Sequence, residues 1–146
     1  MKLSKKAEYA LRAMLAMASD SSGEPVSVRR LAEEHGLPRK FLEAVMRELR
    51  EAGLVRSIPG KQGGYLLEKP VGDIAVGEVF EAVGYRIGEA PEEPSDSDDP
   101  VAGLMKELGG EVGRLVKETS LRHILVGASL GRAIGWDGAY MHGDGI

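Results

Sequence analysis

Cysteine is absent from this chain of 146 residues. Its absence excludes disulfide bonds, thiol catalysis, cysteine-rich zinc sites and any metal cluster held by the chain's own thiolates. Long apolar runs are also absent: none approaches the roughly 18 residues that a membrane span needs. The basic residues at 1–6 are not followed by the apolar core of a signal peptide. We therefore expect a soluble, cytoplasmic protein that makes no contact with a membrane.

Recognisable catalytic and metal-binding patterns are missing as well. No serine, histidine and acid stand in a catalytic motif, and no glycine-rich phosphate loop is present, so we predict that the protein is not an enzyme. The histidines at 35, 123 and 142 have no paired-ligand spacing. The aspartates at 96, 98 and 99 offer oxygen ligands, but without the glycine and bidentate glutamate of a calcium loop. We predict no metal and no cofactor, and leave open whether this acidic segment is ordered or binds a cation.

The charges that are present divide unevenly along the chain. Residues 1–70 contain 13 Lys and Arg against 9 Asp and Glu, a net charge of +4, whereas residues 71–146 contain 6 against 14, a net charge of −8. A basic half on a protein of net charge −4 suggests that one end meets a polyanion. Ordinary variation of surface charge would also explain a split of this size.

Apolar residues in the first part of the chain recur at three- and four-residue spacing, which predicts helices. The first helix is expected over residues 4–19, with Ser4 as its N-cap. The second is expected over 28–35, where Ser27 caps its start and Gly36 takes the left-handed conformation that ends it. A short helix followed by a glycine-containing turn is typical of a helix-turn-helix.

A third helix and a β-hairpin follow. Pro38 stands at the start of the helix, where its missing N–H costs nothing, and Gly53 ends it. Two short strand candidates, 54–58 and 65–68, then flank a loop whose glycines permit positive φ. This order of elements predicts a winged helix-turn-helix, a DNA-binding domain that we place at residues 1–84.

The second half of the chain has a different organisation. A short fourth helix is expected near the end of the first domain, and residues 85–100 read as an acidic, flexible linker. A long helix to about 118, with a turn or two of helix after it, occupies residues 101–126, and 127–146 form a glycine-rich tail. Gly109, Gly110 and Gly113 each cost the long helix up to about 1 kcal/mol relative to alanine. Either they let another backbone approach closely, or the helix is locally weak.

Residues suited to contact DNA lie on the second and third helices and on the hairpin. They are Arg29, Arg30, Pro38, Arg39, Lys40, Glu43, Ser57, Gly60, Lys61 and Gln62. Those at the start of the third helix would reach base edges in the major groove, and the cations of the second helix and hairpin tip would meet phosphate or a minor groove. Glu43 would accept from a cytosine amino group, but it also lies four residues from Arg39 and Arg47 and can pair with either. The competing interpretation is a winged helix used for protein contacts, with these charges solvated.

Four motifs stand out by their combination and spacing. They are Met1-Lys2-Leu3-Ser4 with Tyr9-Ala10, Leu54-Val55 with Gly60, Gly63-Gly64-Tyr65-Leu66-Leu67, and Ile74-Ala75-Val76-Gly77-Glu78-Val79. Together they resemble the Rrf2 family of bacterial regulators, which includes the IscR, NsrR and CymR types, closely over residues 1–83 and more loosely over the long helix. The resemblance implies a homodimeric transcription factor whose third helix enters the major groove while the wing meets the minor groove. We expect a repressor that binds a pseudo-palindromic operator.

The resemblance also implies that the long helices of two copies cross to form the dimer. An apolar stripe on this helix, at spacings of three and four residues, supplies the candidate contacts. The residues assigned to dimerisation are Val101, Leu104, Leu108, Val112 and Leu115. The predicted fold class is thus mainly α with a small β-hairpin, a winged helix-turn-helix domain joined to a long C-terminal dimerisation helix.

The chain departs from this family in two places. The IscR and NsrR types bind an iron–sulfur cluster through three cysteines between the fourth helix and the long helix, and here that stretch is acidic, with neither cysteine nor histidine. Because carboxylates substitute poorly for thiolates on a soft cluster, we expect a regulator without one. Many members also carry an arginine before the first wing glycine, where this chain has Pro59. Lys61 is a point charge without arginine's planar fork, so we expect it to contact phosphate.

The partners expected are therefore double-stranded DNA and a second copy of the chain, with an unknown protein or small-molecule effector in addition. Two alternatives stay open. The chain could be an interaction module that docks onto a metabolic enzyme, with DNA binding secondary. It could also be a sensor whose small-ligand pocket lies between the wing domain and the dimer helices.

Overall fold

The structure is a computed structural model that describes residues 2–88 and 98–133, with the backbone alone for 128–133. The described residues form six α-helices and one antiparallel hairpin. The elements are α1 (Lys5–Ser19), α2 (Val28–His35), α3 (Arg39–Glu51), β1 (Val55–Ile58), β2 (Gly64–Leu67), a 3-10 turn (Val71–Asp73), α4 (Val76–Ala82), α5 (Pro100–Glu118) and α6 (Leu121–Ala133). This confirms the mainly α fold with a small β-hairpin. Among these helices none is long and apolar enough to cross a membrane.

The helices begin and end where local capping signals predicted. The Ser4 hydroxyl accepts a hydrogen bond from the Ala7 N–H at 3.2 Å, and the Ser27 hydroxyl accepts from the Arg30 N–H at 3.0 Å. Gly36 ends α2 at φ +62°, in the left-handed region that favours glycine. These contacts satisfy backbone groups that a helix end leaves without a partner inside the helix.

The core surrounds α1, which packs against α3, α4, α6 and β2. Ala7, Ala10 and Ala13 are fully buried and lie three residues apart, so the buried face of α1 consists of small methyl groups beside the longer side chains of Met14 and Met17. The apolar face of α3 meets this core through four fully buried side chains. They are Leu42, Val45, Met46 and Leu49. The small side chains of α1 allow its neighbours to approach closely.

The wing is anchored to the segment that precedes α2. In the hairpin, Val55 lies opposite Leu67 and Ile58 opposite Gly64. Val26 forms a single-residue antiparallel bridge to β2, which we call the Val26–Tyr65 rung. Its N–H donates to the Tyr65 carbonyl at 2.9 Å, and its carbonyl accepts from the Tyr65 N–H at 2.8 Å. A Cβ on Gly64 would overlap the Val26 backbone, so this rung requires glycine there.

A second short bridge attaches the C-terminal helices to the first domain. The Val76 N–H donates to the Thr119 carbonyl at 2.8 Å, and the Leu121 N–H donates to the Ile74 carbonyl at 2.9 Å. α4 and α6 both start at this bridge, and Leu121 is fully buried in the core. This bridge fixes the C-terminal end of α5 relative to the DNA-binding domain.

Side chains cap both helices that start at this bridge. The Glu78 carboxylate accepts from the Ala75 N–H at 2.9 Å and from Lys69 Nζ at 2.8 Å. Partial burial opposes ionisation of Glu78, but these hydrogen bonds and the charge of Lys69 outweigh it, so the pKa of Glu78 lies below its usual value. At α6, the Ser120 N–H donates to His123 Nδ1 at 3.0 Å, and the His123 N–H donates to the Ser120 hydroxyl at 3.2 Å.

The structure differs from the expected linker and tail at their borders. Residues 85–88 were expected to be flexible, but the Tyr85 hydroxyl donates to the Lys2 carbonyl at 3.0 Å and its ring packs edge-on against Phe80. At the other border, the Asp99 carboxylate caps α5 by accepting from the Val101 N–H at 2.9 Å. α6 continues to Ala133, beyond the turn or two expected. Residues 89–97 and 134–146 lie outside the described part of the chain.

The glycines of α5 have different surroundings. A Cβ on Gly109 would overlap the backbone of Gly88, so Gly109 does allow another backbone to approach closely. Gly103, Gly110 and Gly113 have no atom of another described segment within 4 Å of the position that a Cβ would take. Close approach therefore explains one of the three glycines that were singled out in the sequence.

We predict opposite effects for two Gly→Ala substitutions in α5. Gly109→Ala should lower the free energy of unfolding by about 1–3 kcal/mol, because the new methyl group forces Gly88 away. Gly103→Ala should raise the free energy of unfolding by up to about 1 kcal/mol, because alanine favours the helix and its methyl group would contact no other described segment. Urea unfolding of both variants checks this, and equal effects of the two substitutions would contradict the Gly88–Gly109 contact.

Candidate nucleic-acid interface

The helix-turn-helix consists of α2, a short turn and α3. Gly36 turns the chain, and the following Leu37 is buried and donates its N–H to the Ala32 carbonyl at 3.1 Å. Leu31 of α2 is also buried against the core, so the two helices are fixed to each other by apolar contacts on both sides of the turn. The start of α3 is left exposed, as a helix that enters a DNA groove must be.

The exposed face of α3 carries the residues predicted to read bases. Arg39, Lys40 and Glu43 all lie on the surface, opposite the buried face of the helix. Arg39 Nε lies 3.5 Å from Glu43 Oε1, so the alternative pairing of Glu43 with Arg39 is confirmed. Exposed pairs of this kind contribute at most about 1 kcal/mol, so a nucleic acid can separate them at little cost.

The arginines at the start of α2 are also paired. Arg29 Nε lies 3.0 Å from Glu33, and Arg30 lies 2.8 Å from both Glu34 and Asp20. Hydrogen bonds from the Ser22 side chain and backbone, with the charge of Arg30, lower the pKa of Asp20. Arg30 is therefore held by two carboxylates, whereas Arg29 is held by one and is the freer of the two to contact phosphate.

The hairpin tip presents its predicted residues to solvent. Gly60 has φ +113° and, with Lys61 and Gln62, forms an exposed turn closed by the Gly63 N–H, which donates to the Gly60 carbonyl at 3.1 Å. Ser57 is exposed on β1. Among the candidate cations, Lys40 and Lys61 have no carboxylate partner within the described residues, so their charges are available to a polyanion.

Two contacts that hold α3 in place could not be found by the sequence reasoning. Phe41, 38% exposed, packs edge-on against Tyr9 with ring centroids 5.3 Å apart, and Lys6 Nζ lies 2.6 Å from Glu48 Oε1. Both contacts join α1 to α3, that of Phe41 directly after Lys40 and that of Glu48 near the C-terminal end of the helix. The one available signal was an aromatic residue at 41, directly outside the apolar face of the predicted helix.

The described residues do not form a metal site. Within 2–88 and 98–133, no three His, Asp or Glu side chains come together in a way that could hold a metal ion. The chain also has no cysteine. The residues that are present do not fit a thiolate-held iron–sulfur cluster.

Comparison with known proteins establishes the family. The family model Rrf2, described as an iron-dependent transcriptional regulator, matches residues 3–126. The chain belongs to the Rrf2 family. The resemblance seen in the sequence is thereby confirmed, and the family consists of transcriptional regulators rather than enzymes.

Several Rrf2 proteins are similar in sequence or structure. The regulator IscR of Cronobacter sakazakii is 46% identical over 83 residues, which cover 57% of this chain and 51% of that protein. The chain thus matches about half the length of such relatives. The structure of CymR, named the global cysteine regulator of B. subtilis, has a TM-score of 0.75 at 29% identity, covering 85% of this chain and 95% of CymR. IscR of T. potens has a TM-score of 0.72 at 30% identity, covering 88% of both chains.

We predict that the turn of this Rrf2 helix-turn-helix depends on glycine at position 36. Gly36→Ala should lower the free energy of unfolding by about 1–2 kcal/mol, because the left-handed conformation is strained for a residue with a Cβ although space is available. Gly36→Asn should cost clearly less, because asparagine tolerates this conformation. Chemical unfolding of the two variants checks the order, and an equal loss in both would contradict a purely conformational requirement.

Proposed function

We propose that this protein is a transcription regulator that acts as a homodimer on a pseudo-palindromic DNA operator, most simply as a repressor. The observation that carries the proposal is the exposed first turn of α3, where Lys40 stands beside Arg39 and has no carboxylate partner among the described residues. Membership of a family of DNA-binding regulators supports it. A repressor needs only to occupy its operator, and a second copy supplies the second half-site.

Exchange of ion-pair partners is the proposed route to base recognition. Arg39 and Glu43 are one helical turn apart and form a weak exposed pair. In the major groove, Arg39 would donate two hydrogen bonds to a guanine, and Glu43 would accept one from a cytosine amino group. A G·C pair offers both groups, so this pair of residues suits a G·C-containing position in the operator.

Phosphate contacts would come from cations on both sides of α3. Arg29 lies in the first turn of α2, and Lys61 lies at the wing tip. Both are exposed, and both belong to elements tied to the core, α2 by Leu31 and the wing by the Val26–Tyr65 rung. Such contacts set affinity and register, whereas base contacts set specificity.

The proposed dimer interface is the apolar stripe of α5. Val101, Leu104, Met105, Leu108 and Leu115 are 51–66% exposed, and Val112 is half-buried. An apolar surface of this extent along one helix indicates a partner surface. A second α5 crossing the first would bury both stripes and would place two α3 helices with two-fold symmetry, which requires a pseudo-palindromic operator.

We propose that this regulator works without an iron–sulfur cluster. The chain has no cysteine, and the oxygen ligands of its acidic segment suit hard cations rather than a soft cluster. The signal that controls it would then be a different one. The alternative is that the winged helix binds a protein in place of DNA, and selection of DNA fragments by the purified protein distinguishes these two functions.

We predict that the purified protein selects one pseudo-palindromic motif from genomic DNA fragments, with affinity that falls steeply as salt rises. The double substitution Arg39→Glu with Lys40→Glu should reduce binding to that motif at least a hundredfold. Lys106→Glu with Arg122→Glu, which changes the net charge equally at exposed positions away from α3, should retain binding within a few fold. Fluorescence anisotropy measures both. Selection of no motif, or equal losses in the two double variants, would favour the protein-docking alternative.

We predict that Leu108→Glu converts the dimer to a monomer, because a carboxylate would have to be buried at the centre of the stripe. Gly103→Glu adds the same charge to α5 on the face turned away from the stripe and should leave the dimer intact. Sedimentation velocity distinguishes the two species. A wild-type protein that sediments as a monomer, or a dimer in Leu108→Glu, would refute this interface.

A further inference from the structure

A groove of about 530 Å³ separates α4 and residues 84–88 from α5. We propose that it binds a free amino acid with an apolar side chain, recognised through both its ammonium and its carboxylate group. The volume lies within the usual range of small-molecule sites. The binding claim stands independently of DNA recognition, and only its regulatory consequence rests on the proposed function.

Two close backbone approaches hold the groove open. At one end, the Cβ position of Gly77 on α4 lies 3.3 Å from the Val116 carbonyl oxygen of α5. At the other end, the backbones of Gly88 and Gly109 are in contact. Between these points, Gly110 and Gly113 face the groove with no atom within 4 Å of their Cβ positions. No described residue therefore fills the space beside them.

The lining offers an apolar floor to a side chain. Phe80 is almost fully buried, Tyr85 packs edge-on against it at 5.3 Å between ring centroids, and Ile87 and Val116 lie against the core beside them. A medium-sized aliphatic or aromatic side chain would remove this surface from water, at a gain of about 25 cal/mol per Å². A purely polar ligand would leave this apolar surface in contact with water.

One free charge of each sign faces the groove from opposite walls. Glu81 of α4 and Lys117 of α5 line it, and neither has an ion-pair partner among the described residues. Lys117 Cγ lies 3.5 Å from the Cβ position of Gly77, one helical turn before Glu81. The two side chains are thus near each other without forming a pair within 4 Å. A ligand that carries a carboxylate and an ammonium group would give Lys117 and Glu81 an ion-pair partner each.

The other charges of the lining argue against a simple anion. Arg114 lies 2.9 Å from Glu111 and 2.8 Å from Glu118, so its charge is compensated by two carboxylates. These hydrogen bonds, first that of Glu111, raise the pKa of Arg114. Arg86 also lines the groove, but it already takes part in another interaction within the chain and is not a free charge. A phosphate or dicarboxylate would therefore meet Glu81 and Glu118 with Lys117 as the one cation of the lining that has no partner among the described residues. A zwitterion carries one charge of each sign and therefore matches the two opposite charges of Glu81 and Lys117.

An amino acid in this groove would contact both functional parts of the protein. α4 packs on α1 in the DNA-binding domain, and α5 carries the proposed dimer stripe. Because the ligand would bridge the two walls, any difference in its affinity between two relative positions of α4 and α5 would shift the equilibrium between them. The groove would in this way couple an amino-acid signal to the spacing of the α3 helices.

The test measures binding without DNA. Each of the twenty L-amino acids is added singly to the full chain, and the Tm is followed as a function of concentration. We expect at least one apolar amino acid to raise the Tm by several degrees well above its Kd. Its N-acetyl derivative and its decarboxylated amine should each bind at least tenfold more weakly, because each leaves one charge of the groove without a partner.

Variants separate the groove from the rest of the surface. Gly110→Leu should fill the groove and abolish the Tm shift, while Gly103→Leu, seven residues earlier on the same face of α5 and outside the groove, should keep it. Lys117→Gln, which leaves the backbone and glycines unchanged, should weaken binding at least tenfold by calorimetry. No shift with any amino acid, or a shift that survives Gly110→Leu, would overturn the proposal. Loss of operator binding with intact amino-acid binding would instead refute the proposed DNA function alone.

Discussion

Close packing on the alanine face of α1 is the constraint on which the other surfaces depend. Ala7, Ala10 and Ala13 are fully buried, so α3, α4 and α6 can all pack against this one helix. A larger side chain at any of these positions would push a neighbour outward, because protein interiors have almost no free space. The third helix and the helices at the C-terminal side therefore share one reference element. A displacement of α6 reaches α3 through α1, and a displacement of α4 reaches it both through α1 and by direct contact.

The long helix serves two different purposes on two faces. Its apolar stripe, from Val101 to Leu115, is exposed, whereas its glycine-rich side meets Gly88 and lines the groove beside α4. The bridge between Ala75 and Ser120 holds only the C-terminal end of the helix. The contact between Gly109 and Gly88 holds the middle of the helix. Only the part of α5 before Gly109, about 14 Å long at 1.5 Å per residue, extends beyond these attachments, and a small change of angle there moves its N-terminal end.

Local signals could be predicted from the sequence, and contacts between distant segments could not. Ser4, Ser27 and Gly36 act on atoms within a few residues, so their capping roles follow from residue type and position alone. The Val26–Tyr65 rung and the Gly88–Gly109 contact join segments that are far apart in sequence. Close approach of a backbone was one of two explanations for Gly109, but the sequence could not identify Gly88 as its partner or show that Gly64 lies against Val26. At the candidate site, the spacing of apolar residues predicts which face of α3 is exposed. It does not predict which cations lack a carboxylate partner, because that depends on where the neighbouring side chains lie.

The placement of those cations is itself an argument for an anionic partner. Arg29 and Arg30 stand in the first turn of α2, and Arg39 and Lys40 in the first turn of α3, where the helix dipole favours negative charge. Each arginine has a glutamate four residues later, the weaker order for a helical ion pair. These residues therefore reduce the stability of their helices in the free protein. In the proposed complex DNA would reverse the balance, because a phosphate would accept hydrogen bonds from Arg29 and a guanine would accept them from Arg39, and negative charge is favoured at both helix N-termini. Binding then needs no new charge, only the replacement of weak internal partners by stronger external ones.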